Sequence, residues 1–201
     1  ERETLERQAA DAKLAVLQSQ VEPHFLFNTL ANVQALVESG SPRAAPVLAS
    51  LIAYLRAAMP QLHEGTPALK REEALVRAYL ELMQMRMPDR LQYNVNIDPA
   101  LHTLRLPPLT LLTLVENAVR HGIDPSEAGG RIDFGAQRDA ASGRIRLWVS
   151  DSGRGLDETN APGIGLANLR ERLAAVYGGD ASLTLSAVQP HGVQAEIDIP
   201  A

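Results

Sequence analysis

Hydrophobic positions change their period twice along this chain. Residues 1 to about 38 contain no Gly and a single Pro. Leu5, Ala9, Ala12, Val16 and Ser19 recur at alternating four- and three-residue steps, which predicts a helix with a coiled-coil-like seam. Leu17, Val21, His24, Asn28, Ala31 and Ala35 form a second line on that helix. From Val21 to Val37 the helix is apolar on most sides, which suits packing among other helices. Residues 39–46, SGSPRAAP, read as a turn. A second helix is predicted from Val47 to Met59, stopping before Pro60. One helical hairpin of this size buries little surface, so pairing with a second copy into a four-helix bundle is expected. Leu69 to Met87 reads as a third helix, ended by Pro88-Asp89.

Beyond residue 90 strands and helices alternate. Leu91 to Ile97 has period two, and Pro107 to His121 is a very apolar helix. Arg131–Asp139 and Arg144–Val149 read as a strand pair around residues 140–143. Ile164–Tyr177 is helical, and Ala181–Val188 and Val193–Ile199 pair around residues 189–192. The expected fold is thus a helical hairpin followed by an α+β two-layer sandwich with a mostly antiparallel sheet. The two domains are expected at 1–66 and 67–201.

Composition narrows the function. The chain has 201 residues, 45% hydrophobic and 21% charged, enough for a core and too apolar for wholesale disorder. Net charge is −5, and neither half carries a basic excess, so direct nucleic-acid binding is not expected. With no cysteine, there is no disulfide framework, cysteine nucleophile or thiolate zinc site. No apolar run approaches ~20 residues. The first residue is Glu1 rather than Met, so an upstream region is expected. No signal peptide is visible.

Candidate chemistry concentrates in two places. Asp151-Ser-Gly153-Arg-Gly155 and Gly163-Ile-Gly165-Leu166 are glycine clusters, the second opening a helix. Glycines admit a ligand close to the backbone, and a helix N-terminus offers N–H groups to an anion. They also serve as plain turn-formers, and no P-loop motif is present. Glu116, Asn117, Arg120 and His121 end an otherwise apolar helix, with Asn117 and Arg120 three apart on one face. An amide oxygen suits Mg²⁺ and a guanidinium suits phosphate. The same residues also fit a polar helix end with Gly122 as its C′ residue. His24 follows Pro23 and precedes Asn28 by one turn, a pattern that equally fits a buried or capping histidine. His63, His102 and His191 read as surface residues, and no spacing suggests zinc.

Taken together these segments are far more specific. Glu116-Asn117-x-x-Arg120-His121-Gly122, then Asp151-x-Gly153-x-Gly155, then Gly163-x-Gly165 resemble the N, G1 and G2 boxes of the GHKL ATP-binding (Bergerat) fold. Pro23-His24-Phe-Leu-Phe-Asn28 closely resembles the phosphoacceptor box of LytS-type sensor histidine kinases. Further likeness lies in Arg77-Ala-Tyr79-Leu80, Leu106-Pro107-Pro108-Leu109 and Asn168-Leu-Arg170-Glu-Arg172, so coverage runs from about 13 to 200. Two departures stand out: Leu112-Thr113 replaces the family's usual Gln-Pro, and Gly192-Val193 replaces a closing Gly-Thr.

The resemblance implies Mg²⁺- and ATP-dependent autophosphorylation of His24, then transfer to an aspartate of a response regulator, the LytTR DNA-binding type being a candidate partner. It implies that Asp151 accepts a hydrogen bond from adenine and that Asn117 holds Mg²⁺. Arg120, His121, Gly153, Gly155, Gly163, Gly165 and Leu166 would line the nucleotide, and residues 156–162 would form a short lid. Glu116 is a candidate catalytic residue. Asn28 has the spacing of residues that position water for dephosphorylating a partner regulator. The general base is open, since Phe25 follows the histidine where many kinases carry an acid, and Glu22 points away. Related ATPases place a water-activating glutamate four residues before the Mg²⁺ asparagine, where this chain has Thr113, so slow hydrolysis is expected.

A homodimer is implied, with a hinge near residues 60–69 and a cytoplasmic place in a bacterial inner-membrane protein, the membrane being reached only through the upstream region. The competing readings are a nucleotide-binding phosphatase or scaffold without autokinase activity, a GHKL-type ATPase, and a purely structural helical dimer.

Overall fold

The computed structural model describes residues 23–58, 68–155 and 164–201. The coiled-coil-like seam, most of the expected hinge, the lid segment and Gly163 lie outside the described residues. The chain divides into two compact units, Glu1–Glu64 and Gly65–Ala201.

In the first unit, helices α1 (Pro23–Glu38) and α2 (Ala44–Ala58) form a hairpin. Gly40 turns the chain at φ +65, with Ser41 N donating to Leu36 O and Gly40 N to Val37 O. This is the left-handed helix stop that glycine adopts without a Cβ penalty. α2 begins three residues earlier than composition suggests. Pro46 fits in its first turn, where a missing N–H breaks no helical bond. Phe25, Thr29 and Val33 of α1 are buried, as are Val47, Leu51, Tyr54 and Ala58 of α2. Phe25 meets Tyr54 edge-on at 5.5 Å between ring centroids.

The second unit opens with α3 (Leu69–Arg86) and continues through β1 (Leu91–Ile97), α4 (Thr110–Ala118), β2 (Gly130–Arg138), β3 (Ile145–Asp151), α5 (Ile164–Tyr177), β4 (Ser182–Ala187) and β5 (Val193–Ile199). The five strands run in the order β1-β2-β3-β5-β4. Three pairings are antiparallel, and β1 pairs with β2 in parallel, so the sheet is mixed. A helix separates β1 from β2, and parallel neighbours need such a crossover. One sheet face supplies Ile132, Phe134, Leu147, Val149, Ile197 and Ile199 to the core. Leu111, Leu114 and Val115 of α4 and Leu166, Leu169 and Leu173 of α5 are buried in the same core. Alternate strand residues such as Gln92, Asn94, Arg131 and Arg146 form the polar opposite face. Among the described residues no helix is long and apolar enough to cross a membrane.

Candidate nucleotide and phosphoacceptor sites

His24 is exposed on α1, as are Asn28, Ala31 and Ala35 along its line. The Asn28 side-chain nitrogen lies 3.3 Å from His24 Nδ1 and 3.2 Å from Nε2. The in-plane directions at the two imidazole nitrogens diverge, so one atom nearly equidistant from both is in line with neither. The Asn28 contact is therefore weakly directed and does not tie up the single nitrogen lone pair that a neutral imidazole offers as a nucleophile. Thr29, by contrast, turns inward and donates to the Phe25 carbonyl at 2.8 Å.

In the second unit the chemistry gathers at the C-terminal end of β3. Asp151 is the last residue of that strand, paired on one side with Ile132 and on the other with Val193. The alternation of β3 carries it to the buried face, and only 4% of its surface is exposed. Burial pushes its carboxyl above the ordinary carboxylate range, while bonds from the Gly153 and Val193 backbone pull the other way. The Gly153 N–H donates to Oδ1 at 2.9 Å.

Three glycines make this position habitable. A Cβ on Gly122 would stand 2.6 Å from Asp151 Cγ. One on Gly153 would stand 2.6 Å from Gly122 Cα, and one on Gly192 2.9 Å from the Asp151 carbonyl carbon. Ordinary carbon contacts need well over 3 Å, so each of these residues has to lack a side chain. Arg154 N donates to Gly122 O at 3.1 Å, pinning the two chain segments together. Gly155 (φ +93) and Gly192 (φ +131) also use the left-handed backbone region.

Gly122 reaches Asp151 because α4 does not end as a regular helix. After Ala118 the chain widens into a π-helical turn over Val119–Ile123. The sequence pattern predicts a single helix through His121; the wider winding changes the face relation expected between Asn117 and Arg120. Such turns occur often at functional sites. Glu116 and Asn117 are half-buried just before it, and Arg120 and His121 are exposed within it.

At the start of α5, Gly165 is exposed, and a Cβ there would make only an ordinary contact of 3.6 Å with Thr113 Cγ2. Leu166 is buried with the core, so its backbone rather than its side chain is what it can present to a ligand. The structure thus brings Gly122 of the π turn, Asp151, Gly153 and Gly192 together at one end of the sheet, with Gly155 next to Gly192, Gly165 beside Thr113 of α4, and Asn117 on α4 just before the π turn. Among the described residues, no group of three or more His, Asp or Glu is placed to hold a metal ion.

Sequence reasoning missed two residues. Gly192 reads as part of a hairpin turn, and nothing local reveals its approach to the Asp151 carbonyl. Glu72 reads as an ordinary polar residue of α3, yet it is only 2% exposed. His102, expected at the surface, is half-buried with Nε2 3.3 Å from Glu73 Oε2.

The chain has relatives among known proteins, in sequence and in fold. A sequence model of the histidine kinase family matches residues 12–91. The sensor histidine kinase/phosphatase LytS of Staphylococcus aureus is 33% identical over 196 residues, covering 91% of this chain and 33% of LytS. The chain thus spans about a third of the length of the curated relatives it matches. Among solved structures, the histidine kinase domain of the Erythrobacter litoralis blue-light activated kinase EL346 superposes with a TM-score of 0.53. It shares 22% identity, over 96% of this chain and 93% of that one. Full-length ShkA, solved in complex with AMPPNP, superposes with a TM-score of 0.50 at 21% identity, over 98% of this chain and 45% of that one. Over most of its length the chain is thus similar in sequence to the sensor histidine kinase/phosphatase LytS, residues 12–91 match the histidine kinase family, and the fold is that of histidine kinase domains.

Proposed function

We propose that this chain is the kinase core of a two-component sensor, moving the γ-phosphoryl group of ATP to His24 and from there to an aspartate of a response regulator. The observation that carries the nucleotide assignment is the buried Asp151 carboxylate at the end of β3, seated among Gly122, Gly153 and Gly192, none of which has room for a side chain. It can accept a hydrogen bond from the adenine amino group. The complex of ShkA with AMPPNP, in a protein of the same fold, supports a nucleotide of that type here. Arg120, His121 and the N–H groups of Gly165 and Leu166 would face the phosphates. Asn117 would give Mg²⁺ an amide oxygen, and the ion when bound would offset phosphate charge.

The transfer balances simply. A lone pair of a neutral His24 ring nitrogen forms the new N–P bond. The bond from the γ-phosphorus to the bridging oxygen breaks, ADP leaves with that electron pair, and the imidazole proton passes to solvent. Positioning and charge neutralisation supply most of the acceleration in such transfers. Position 113 carries a threonine and no carboxylate that could activate a water in place of the histidine. Thr113 Oγ1 donates to Leu109 O at 2.6 Å and receives Arg172 Nη2 at 3.3 Å, so it is a structural hydroxyl. That weighs against an ATPase of the gyrase or chaperone class.

Residues 1–66 would serve as the dimerising phosphoacceptor unit and 67–201 as the catalytic unit. The hairpin leaves Phe27 (69%) and Val37 (62%) largely exposed, with Leu30, Leu48 and Ile52 also in the open. An apolar surface of this kind on a two-helix unit fits closure against a second copy. The whole protein would be a bacterial inner-membrane sensor with this core on the cytoplasmic side.

The direct test is incubation of the chain with γ-labelled Mg·ATP. Acid-labile, base-stable label on the protein is the expected result. Nucleotide binding without label would move the reading to a phosphatase or scaffold; no nucleotide binding would leave a structural helical dimer.

A phosphatase activity alongside the kinase is favoured by the contact of Asn28 with the His24 ring. Asn28→Ala is expected to slow dephosphorylation of the regulator about 100-fold, the lower end of the effects of a positioned proton-transfer group. Regulator dephosphorylated at the wild-type rate would remove Asn28 from that role.

A further inference from the structure

A carboxylate from α3 closes the N-terminus of the helix that carries Asn117. Leu109, at the N-cap position of α4, adopts φ 60 and provides no side-chain cap. A branched side chain in the left-handed region is strained, so something has to hold it there. Glu72 does so: Leu109 N–H donates to Oε1 at 2.6 Å and Leu111 N–H to Oε2 at 3.0 Å. An anion on the free N–H groups of a helix start is favourable on both hydrogen-bonding and dipole grounds. Arg172 of α5 completes the node, donating to the Pro108 carbonyl and to Thr113 Oγ1. The start of α4 is therefore held by one group from α3 and one from α5.

We infer that Glu72 is a positioning residue for nucleotide binding, setting α4, and with it Asn117 and the Gly122 backing of Asp151, through its two bonds to the helix start. This rests on the nucleotide reading given above. α4 has nine residues from Thr110 to Ala118 and runs straight into the π turn. A shift at its first turn is passed along a rigid element to Asn117 in its third.

The capping group can also be switched. Burial raises the Glu72 carboxyl to about 7, against bonds from the Leu109, Leu111 and Leu112 backbone and the charge of Arg172. Arg172 is the charged group facing it from α5, and α4 meets it with backbone alone. The sign follows. Above about 7 the carboxylate accepts from both N–H groups, one per oxygen. As pH falls through about 7, one oxygen becomes a hydroxyl and the paired cap is lost. Nucleotide affinity therefore falls with it, and by reciprocity bound nucleotide lowers the Glu72 pKa.

The test measures ADP affinity of the full chain and of Glu72→Gln between pH 6 and 8. A glutamine keeps one acceptor and turns an NH₂ toward the other N–H. The variant is expected to bind ADP about tenfold more weakly at pH 8 and within about twofold of wild type at pH 6, the range for losing a charged hydrogen bond. ADP titrates in the same interval, so the difference between the two proteins is the readout. In unaltered protein, the Leu109 and Leu111 amide proton resonances are expected to titrate together near pH 7, with the midpoint falling when ADP is added. Amides that do not titrate, or a variant with the wild-type affinity and pH profile, overturn the inference while leaving the nucleotide reading intact. Wild-type protein that binds no ADP overturns both.

Discussion

Replacing His24 by Gln is expected to reduce protein labelling from γ-labelled ATP to background while leaving ADP affinity within about twofold of wild type, as for surface substitutions generally. The two halves of this expectation have separate physical grounds. Labelling needs a nitrogen lone pair, and a carboxamide nitrogen has none to give because it is delocalised into the carbonyl. Binding needs only the second unit, and His24 belongs to the first. The position is exposed and the substituted residue is a good helix former, so α1 should persist. Asn28 loses its ring partner, but its contact was weakly directed and its removal disturbs no buried group. Label retained in His24→Gln would mean that another side chain is the acceptor. Label and ADP binding lost together would mean that the variant had failed to fold, which circular dichroism would reveal.

What could be read from the chain in advance was whatever depends on near neighbours. The four-residue step from His24 to Asn28 is a helical period, and the structure places both on the open side of α1. The hairpins at 140–143 and 189–192 were marked by turn residues, and β2–β3 and β4–β5 form across them. The Leu112-Thr113 departure from Gln-Pro is visible in the sequence, but its consequence is not: in the fold Thr113 is bonded to Leu109 and Arg172.

What could not be read depends on segments far apart. The parallel pairing of β1 with β2 joins Leu91 to Gly130 across an intervening helix, and a strand's own alternation is silent about its partner's direction. The burial of Glu72 is a similar case. Its sequence neighbour Glu73 pairs with Arg77 and His102 near the surface, and nothing in the pattern of α3 tells the two glutamates apart. Only the backbone of residues 109 and 111 selects one of them. The π turn belongs here too, since a wider winding leaves no mark in a hydrophobic pattern that continues through Val119 and Ile123.

Gly122→Ala is expected to weaken ADP binding about 10- to 100-fold while leaving the fold recognisable by circular dichroism. The new Cβ would stand 2.6 Å from Asp151 Cγ, a distance no real pair of carbons tolerates. Relief has to come from one side or the other. Gly122 is held by Arg154 N on its carbonyl and by Gly153 packed against its Cα, so its backbone has little room. The Asp151 main chain is paired in the sheet on both sides, and Gly192 closes on its carbonyl. The freest group is the Asp151 carboxylate itself, and it would swing from the place where adenine is to be met. Overpacking of this kind costs about 1–3 kcal/mol in stability. Separately, the misplaced hydrogen bond to a charged group costs binding ~1.5–3 kcal/mol. Gly179→Ala is the matched control: a Cβ there meets nothing within 4 Å, and ADP affinity should be unchanged. If Gly122→Ala bound ADP like wild type, Asp151 would not be the adenine acceptor, whatever its burial. If it lost ADP while Gly179→Ala did not, the glycine that ends the helix and the aspartate that ends the strand would be working as one element of the site.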